Sequence, residues 1–275
     1  MTTPELLSDF GAADGAIDPA AAPPGRAGVR RILLWDLPLR VFHWSLVAAV
    51  SAAVVTGELG GAWMVWHGRA GLLVVGLLVF RVVWGVVGSA TSRFTHFAPS
   101  PASVLAYLRG RWRGVGHNPL GALAVFALLG LLSLQAATGL FGNDDIAFAG
   151  PLNHLVDDTL GARLTGWHRL LADGLFALMA MHLLAIAFHV VVKRHRLVRP
   201  MVSGVLEVDA RTPLPRPVHG DGRFGLLVAV ALAAAGVLAL LGAGEGSVST
   251  AAAAPARTAT AAPVVMAPAS SAPAW

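Results

Sequence analysis

The sequence predicts an all-α integral membrane protein, a four-helix transmembrane bundle with an appended fifth transmembrane helix, and three observations carry that expectation. Apolar residues make up 56% of the 275-residue chain and charged residues 13%, whereas a soluble domain holds roughly 25% charged. Five apolar runs, at 39–58, 64–88, 119–141, 167–192 and 224–242, approach the ~20 residues that a helix needs to cross a ~30 Å hydrocarbon core. Lysine and arginine are also divided unevenly among the connecting segments, as they are when some of those segments are cytoplasmic.

The elements follow in order. Residues 1–31 are rich in Ala, Pro and Gly, offer little to pack, and predict a disordered cytoplasmic segment. They carry no signal-peptide pattern, so the first span reads as uncleaved. That span, WDLPLRVFHWSLVAAVSAAVVTGE, holds His43 near its start and is preceded or opened by Arg26, Arg30, Arg31 and Arg40. A short hairpin with Glu58 and no base leads to the second span, which begins at VWHGRAG with His67 and carries Arg81 near its end. Arg93, Arg109, Arg111 and Arg113 follow it, so the segment 89–118 is expected inside. Beyond the third span, Asp144, Asp145, Asp157 and Asp158 stand against Arg163 alone, which puts 142–165 outside. The fourth span carries His168, His182 and His189 and ends in Lys193, Arg194, Arg196 and Arg199. Together the first four spans predict one domain over 32–204. A Pro-punctuated cytoplasmic linker at 205–223, a fifth helix at 224–242 and a disordered periplasmic tail at 243–275 complete the chain. Five spans put the N terminus in the cytoplasm and the C terminus in the periplasm.

The histidines decide the chemistry. At 100° per residue, the step of 14 from His168 to His182 and the step of 7 to His189 keep all three on one face of the fourth span. Polar side chains in hydrocarbon are costly and point into the bundle, toward a partner or cofactor. Helix rise puts His43 and His67 at levels ~16 Å apart, against about 21 Å for His168 to His182 and about 31 Å for His168 to His189. The shorter step matches better, so His67 and His168 share an outer level and His43 and His182 an inner one. Two histidine pairs stacked along the membrane normal suit two haems held inside a bundle. With both axial positions taken by protein, such iron changes oxidation state without binding substrate. Gly57, Gly71, Gly76 and Gly174 would let a macrocycle approach the backbone. Arg81, 14 residues after His67, lies at the inner level, where it meets either a haem propionate or the inner headgroups. His189 has nothing left to face on the first two spans and reads as a propionate or quinone-pocket contact, or as a hydrogen-bonding group near the interface. His96, His117, His154, His195 and His219 fall in loops, where a solvated imidazole needs no explanation.

Composition also excludes. The chain has no cysteine, so it forms no disulfide, thiolate metal site, iron–sulfur cluster or C-x-x-C-H haem attachment. Its basic balance reflects topology, with no nucleic acid among the expected partners.

These same residues carry a resemblance to the bacterial cytochrome b561 family, which includes the cytochrome b subunits of nickel–iron hydrogenases. WDLPLRVFHWSLVAAVSAAVVTGE resembles the family's first haem helix and HGRAGLLVVGLLVFRVVWGVVGS its second, basic residue included. GHNPLGALAVFALLGLLSLQAATGLF resembles the third, and WHRLLADGLFALMAMHLLAIAFHVVVKRHRLVRPMVSG the fourth. The resemblance implies a di-haem b electron carrier of the bacterial inner membrane and carries ligation to His43, His67, His168 and His182. The fifth helix and the Ala/Pro-rich tail depart from that pattern.

Three functions follow as expectations. The first is a di-haem cytochrome b passing electrons between the quinone pool and a periplasmic partner such as a c-type cytochrome. The second is the membrane anchor of a hydrogenase-like or dehydrogenase complex, or a superoxide-to-quinone oxidoreductase. The third, a haem-free transporter or scaffold, is disfavoured because Asp173 is the lone acid inside the fourth span.

Overall fold

A computed structural model describes residues 28–144, 146, 148–209 and 222–253, with side chains as far as residue 244. Five of its helices are long and apolar enough to cross a membrane. The first of these, α1 (Leu37–Leu59), starts where Asp36 caps it by accepting from the Leu39 N–H at 2.8 Å, with Pro38 in the first turn. It ends at Gly60 and Gly61, both at positive φ with open space around them. Backbone conformation, then, is what requires glycine at that turn. A 3-10 turn at Gly61–Trp63 leads into α2 (Met64–Val87). Two short helices, α3 (Phe94–Phe97) and α4 (Pro101–Leu108), lie along the connection to α5 (Pro119–Leu140), which Asn118 caps from its side-chain oxygen to the Gly121 N–H at 2.7 Å.

The fourth long helix, α6 (Asp158–Val191), is 34 residues, or about 51 Å at 1.5 Å per residue. It begins nine residues earlier than the apolar run, because Asp157 caps it through the Leu160 N–H at 2.8 Å and its first turns are polar. A short α7 (Val198–Ser203) precedes the last long helix, α8 (Gly222–Ala253). The helix therefore continues through 243–253, which the tail was expected to contain as disordered chain. The expectations for 1–27 and 254–275 lie outside the described residues.

α1 packs on α2 and α5 on α6, so the bundle is two helical hairpins joined chiefly by α2 against α5. α8 lies along α2, where a Cβ on Gly76 would sit 2.9 Å from Val237. Ala49, Val74, Leu78, Leu132 and Leu175 form a buried layer drawn from all four helices of the two hairpins.

Two segments expected to be unstructured pair with each other. β1 (Val29–Leu33) runs antiparallel to β2 (Val205–Asp209), with Arg31 opposite Glu207 and joined to it at 3.2 Å. This corrects the disordered segment at 29–31 and the linker at 205–209: alternating exposure along both strands rests one face on the bundle. Gly204, at φ +81°, turns its carbonyl to accept from the Leu34 and Trp35 N–H groups at 2.8 and 3.2 Å. Arg40 and Trp44 of α1 donate to the carbonyls of Val202 and Met201 at 2.6 and 3.2 Å. The two-stranded sheet thus closes one end of the bundle, the sheet end, and the α1–α2 turn marks the other, the hairpin end.

Candidate cofactor sites

At the hairpin end a cavity of about 490 Å³ opens between the two helical hairpins, lined by His67, His168, Gln135, Gly57, Gly71 and Gly139 among others. That volume is in the range of sites that hold cofactors, ~300–1,000 Å³. The rings of His67 and His168 face each other with centroids 6.0 Å apart and planes at 85°. Each ring is fixed by its Nδ1: His67 to the carbonyl of Ala53 at 2.8 Å, His168 to that of Gln135 at 2.9 Å. A carbonyl only accepts, so both Nδ1 atoms carry the proton and both Nε2 atoms keep a lone pair. This is how metal-binding imidazoles are held, the second nitrogen donating to a backbone carbonyl. Metal–imidazole bonds of about 2 Å on either side of one ion put the two ring centres roughly 6 Å apart, so the pair fits a single iron.

Glycines press on both rings from behind. A Cβ on Gly57 would lie 2.9 Å from Nδ1 of His67, and one on Gly139 would lie 2.8 Å from Cε1 of His168. Gly71 lines the cavity with open space around it. Gly76 and Gly174, expected beside a macrocycle, instead face Val237 of α8 and Leu131 of α5. Gln135 donates its amide to Nε2 of His168 at 3.1 Å, and its Oε1 is enclosed without a partner. Phe148, held by the Asp144 carboxylate accepting its N–H at 2.8 Å, covers Gly68 at the mouth.

The second cluster lies toward the sheet end. His43 of α1 and His182 of α6 are within electrostatic range of each other, and the Nδ1 of His43 is enclosed without a partner. Arg81 is 2% exposed. Its guanidinium lies over Phe94 at 4.3 Å, and Asp36 is the acid within its electrostatic range. Asp36 also accepts from Trp84 Nε1 at 3.1 Å and Ser92 Oγ at 3.0 Å, fastening the start of α1 to the end of α2. His189 is elsewhere: it stacks on His195 at 5.7 Å, close to Lys193 and next to Phe188.

His117 is not the solvated loop residue expected. Its ring packs 4.6 Å from both Trp35 and Phe97, and its Nδ1 is enclosed without a partner. Burial, with Arg81 and His182 nearby, pushes its imidazole down to about 4, so it is neutral at physiological pH. Gly116 at φ +95° makes the turn that sends it inward. Gln135 carried a signal in the sequence, as an amide in an apolar span. His96 and His154 are exposed, and His219 lies outside the described residues.

The family described as prokaryotic cytochrome b561 matches residues 34–204. The chain is 22% identical over 180 residues, covering 50% of this chain and 74% of the relative, to a protein of Escherichia coli (strain K12) described as a probable Ni/Fe-hydrogenase 1 B-type cytochrome subunit. The protein of the same description from Escherichia coli O157:H7 matches to the same extent. No solved structure matches the chain.

Proposed function

As the chain belongs to the prokaryotic cytochrome b561 family, we propose that it is a di-haem member, carrying electrons across the bacterial inner membrane between the quinone pool and a periplasmic redox partner. Membership makes it a membrane b-type cytochrome in electron transfer. The finer reading assigns one haem b to His67 and His168 and a second to His43 and His182. The observation that carries it is the His67–His168 pair, 6.0 Å between ring centres with each Nδ1 tied to a carbonyl.

Bound haem supplies a one-electron couple at the iron. The chain's own residues do the rest. Ala53 and Gln135 fix tautomer and ring orientation through their carbonyls. Gly57 and Gly139 let the rings lie against the helices behind them. Held by His67 and His168, or by His43 and His182, an iron would change oxidation state without taking a substrate as ligand.

The positive-inside bias favours the sheet end in the cytoplasm and the hairpin end in the periplasm. There the His67–His168 site lies beside the exposed Trp63, Trp66 and Ile146, where a soluble partner can approach. A c-type cytochrome is one such partner. Similarity to hydrogenase B-type cytochrome subunits favours a hydrogenase subunit as the alternative. His189, stacked on His195, serves neither haem and is available to a quinone near the cytoplasmic face.

A reduced-minus-oxidised spectrum of the purified protein, with haem counted per chain, tests the reading. Two haems with b-type bands support it. One haem removes the second site, and none returns the chain to a transporter or scaffold.

A further inference from the structure

Two buried polar groups at the sheet end lack partners, and they come from different elements. Arg81 projects from α2 with 2% exposure and its Nη1 enclosed without a partner. Phe94 and Phe97, 4.3 and 6.0 Å from the guanidinium carbon, orient the cation without giving it an acceptor. Asp36 is within electrostatic range, but its oxygens serve Leu39, Trp84 and Ser92, and among the described residues no carboxylate is within ion-pair distance of Arg81. His117 enters from the turn before α5, held between Trp35 and Phe97, with Nδ1 likewise enclosed and partnerless. Phe97 touches both groups, and His117 is within electrostatic range of Arg81 and of His182. Buried donors are almost always satisfied, and a buried cation is retained where an anion meets it.

We propose that Arg81 and His117 form a two-armed clamp for a carboxylate, a propionate of the haem held by His43 and His182. The inference rests on the di-haem reading and adds His117, which neither the family match nor the apolar pattern assigns. A guanidinium offers a forked pair of donors to carboxylate oxygens, and a neutral imidazole adds one more. The Trp35–Phe97 slot fixes the direction of that third donor. Lipid phosphate is the other source of an anionic oxygen, and the buried position of Arg81 favours the cofactor.

The test uses the full-length haem-loaded protein with Arg81→Met, His117→Leu, the double variant, and the conservative Arg81→Lys and His117→Gln. A redox titration follows both haems, the sheet-end one identified by its loss in His182→Ala. Removing donors from a carboxylate beside the iron favours the ferric state. Each single variant is expected to lower the sheet-end midpoint potential and leave the other unchanged. The double variant should fall by less than the sum, because both arms hold one group. Loss of that haem alone, restored by the conservative variants, supports the clamp equally. Reconstitution with haem dimethyl ester removes the carboxylate charge beside the iron, so it should raise the wild-type sheet-end potential and abolish the difference between wild type and His117→Leu. An unshifted potential in His117→Leu at full haem content, fully additive shifts, or a His117→Leu shift that persists with the ester overturns the clamp; the last would leave lipid phosphate as the anion. If His43→Ala and His182→Ala keep two haems, the di-haem reading itself fails, which is a different result from a silent His117.

Discussion

Substituting alanine at Gly139 should strengthen the helix and weaken the cofactor site at once. A Cβ there would stand 2.8 Å from Cε1 and 3.1 Å from Nδ1 of His168, whereas carbon contacts are comfortable at about 3.5 Å and beyond. The imidazole must give way by roughly 0.7 Å. That is enough to stretch the 2.9 Å bond from Nδ1 to the Gln135 carbonyl to the edge of hydrogen bonding. Losing such an orienting bond typically costs ~10–100-fold in metal affinity. Glycine to alanine inside a helix contributes up to ~1 kcal/mol in the opposite sense. The expected protein is therefore at least as heat-resistant in its haem-free form and deficient in the His67–His168 haem. Gly57→Ala should behave alike, because its Cβ would lie 2.9 Å from Nδ1 of His67. Gly130→Ala, in open space on α5, should gain helix stability and keep full haem. The assay is haem per chain with low-temperature spectra, beside thermal unfolding of the haem-free protein. Gly139→Ala and Gly57→Ala proteins with wild-type spectra and haem content would refute the argument that these glycines exist to seat the rings.

Four further outcomes are expected. Alanine at His67 or at His168 should abolish the same spectral component and alanine at His43 or His182 the other, while His189→Ala keeps both; a haem count on the five proteins decides. Asp36→Ala removes a helix cap and the anchor for Trp84 and Ser92, so it should lower stability by about 1–2 kcal/mol from the cap alone, measured by denaturation of the detergent-solubilised protein. Deleting residues 222–275 should leave both haems bound, because α8 packs chiefly on α2, with Val237 at Gly76, and its Gly244 meets the cavity lining at Pro151 rather than at either histidine; loss of either on spectroscopy would make α8 part of the site. Reporter fusions near Arg111 and after Arg199 should report cytoplasm and one near Asp144 periplasm, and a periplasmic signal at Arg111 would invert the orientation.

What could be read from the chain was what depends on local period and on the cost of polar groups in hydrocarbon. The five apolar runs and the 14-residue histidine step on α6 are of that kind, and so is the depth match that brings His67 to His168. The missed features are set by contacts distant in sequence. β1 and β2 pair across 176 residues from Arg31 to Glu207, and neither strand is long or apolar enough to stand out alone. Gly76 was legible as a close approach, but only the position of α8 shows that the approach is to Val237. His117 looked solvated because its neighbours in sequence are Gly116 and Asn118, while the groups that enclose it, Trp35 and Phe97, belong to other segments.

The buried layer of Ala49, Val74, Leu78, Leu132 and Leu175 gives the two sites their separate characters. Leu175 is seven residues from His168 and seven from His182, so the layer crosses the bundle about 10 Å from either histidine level. Val74, Leu132 and Leu175 of this layer also line the hairpin-end cavity, so the layer forms its floor. On the di-haem reading, an electron then moves between two sites whose surroundings differ: carbonyl-locked histidines beside an amide at the hairpin end, a buried guanidinium with a second imidazole at the sheet end. On that reading the buried Arg81 at one site, against the exposed and solvent-screened Arg169 beside His168 at the other, would hold the sheet-end haem at the higher potential. The difference in buried charge, rather than the ligand set proposed for both sites, would then give the electron a preferred end of the bundle.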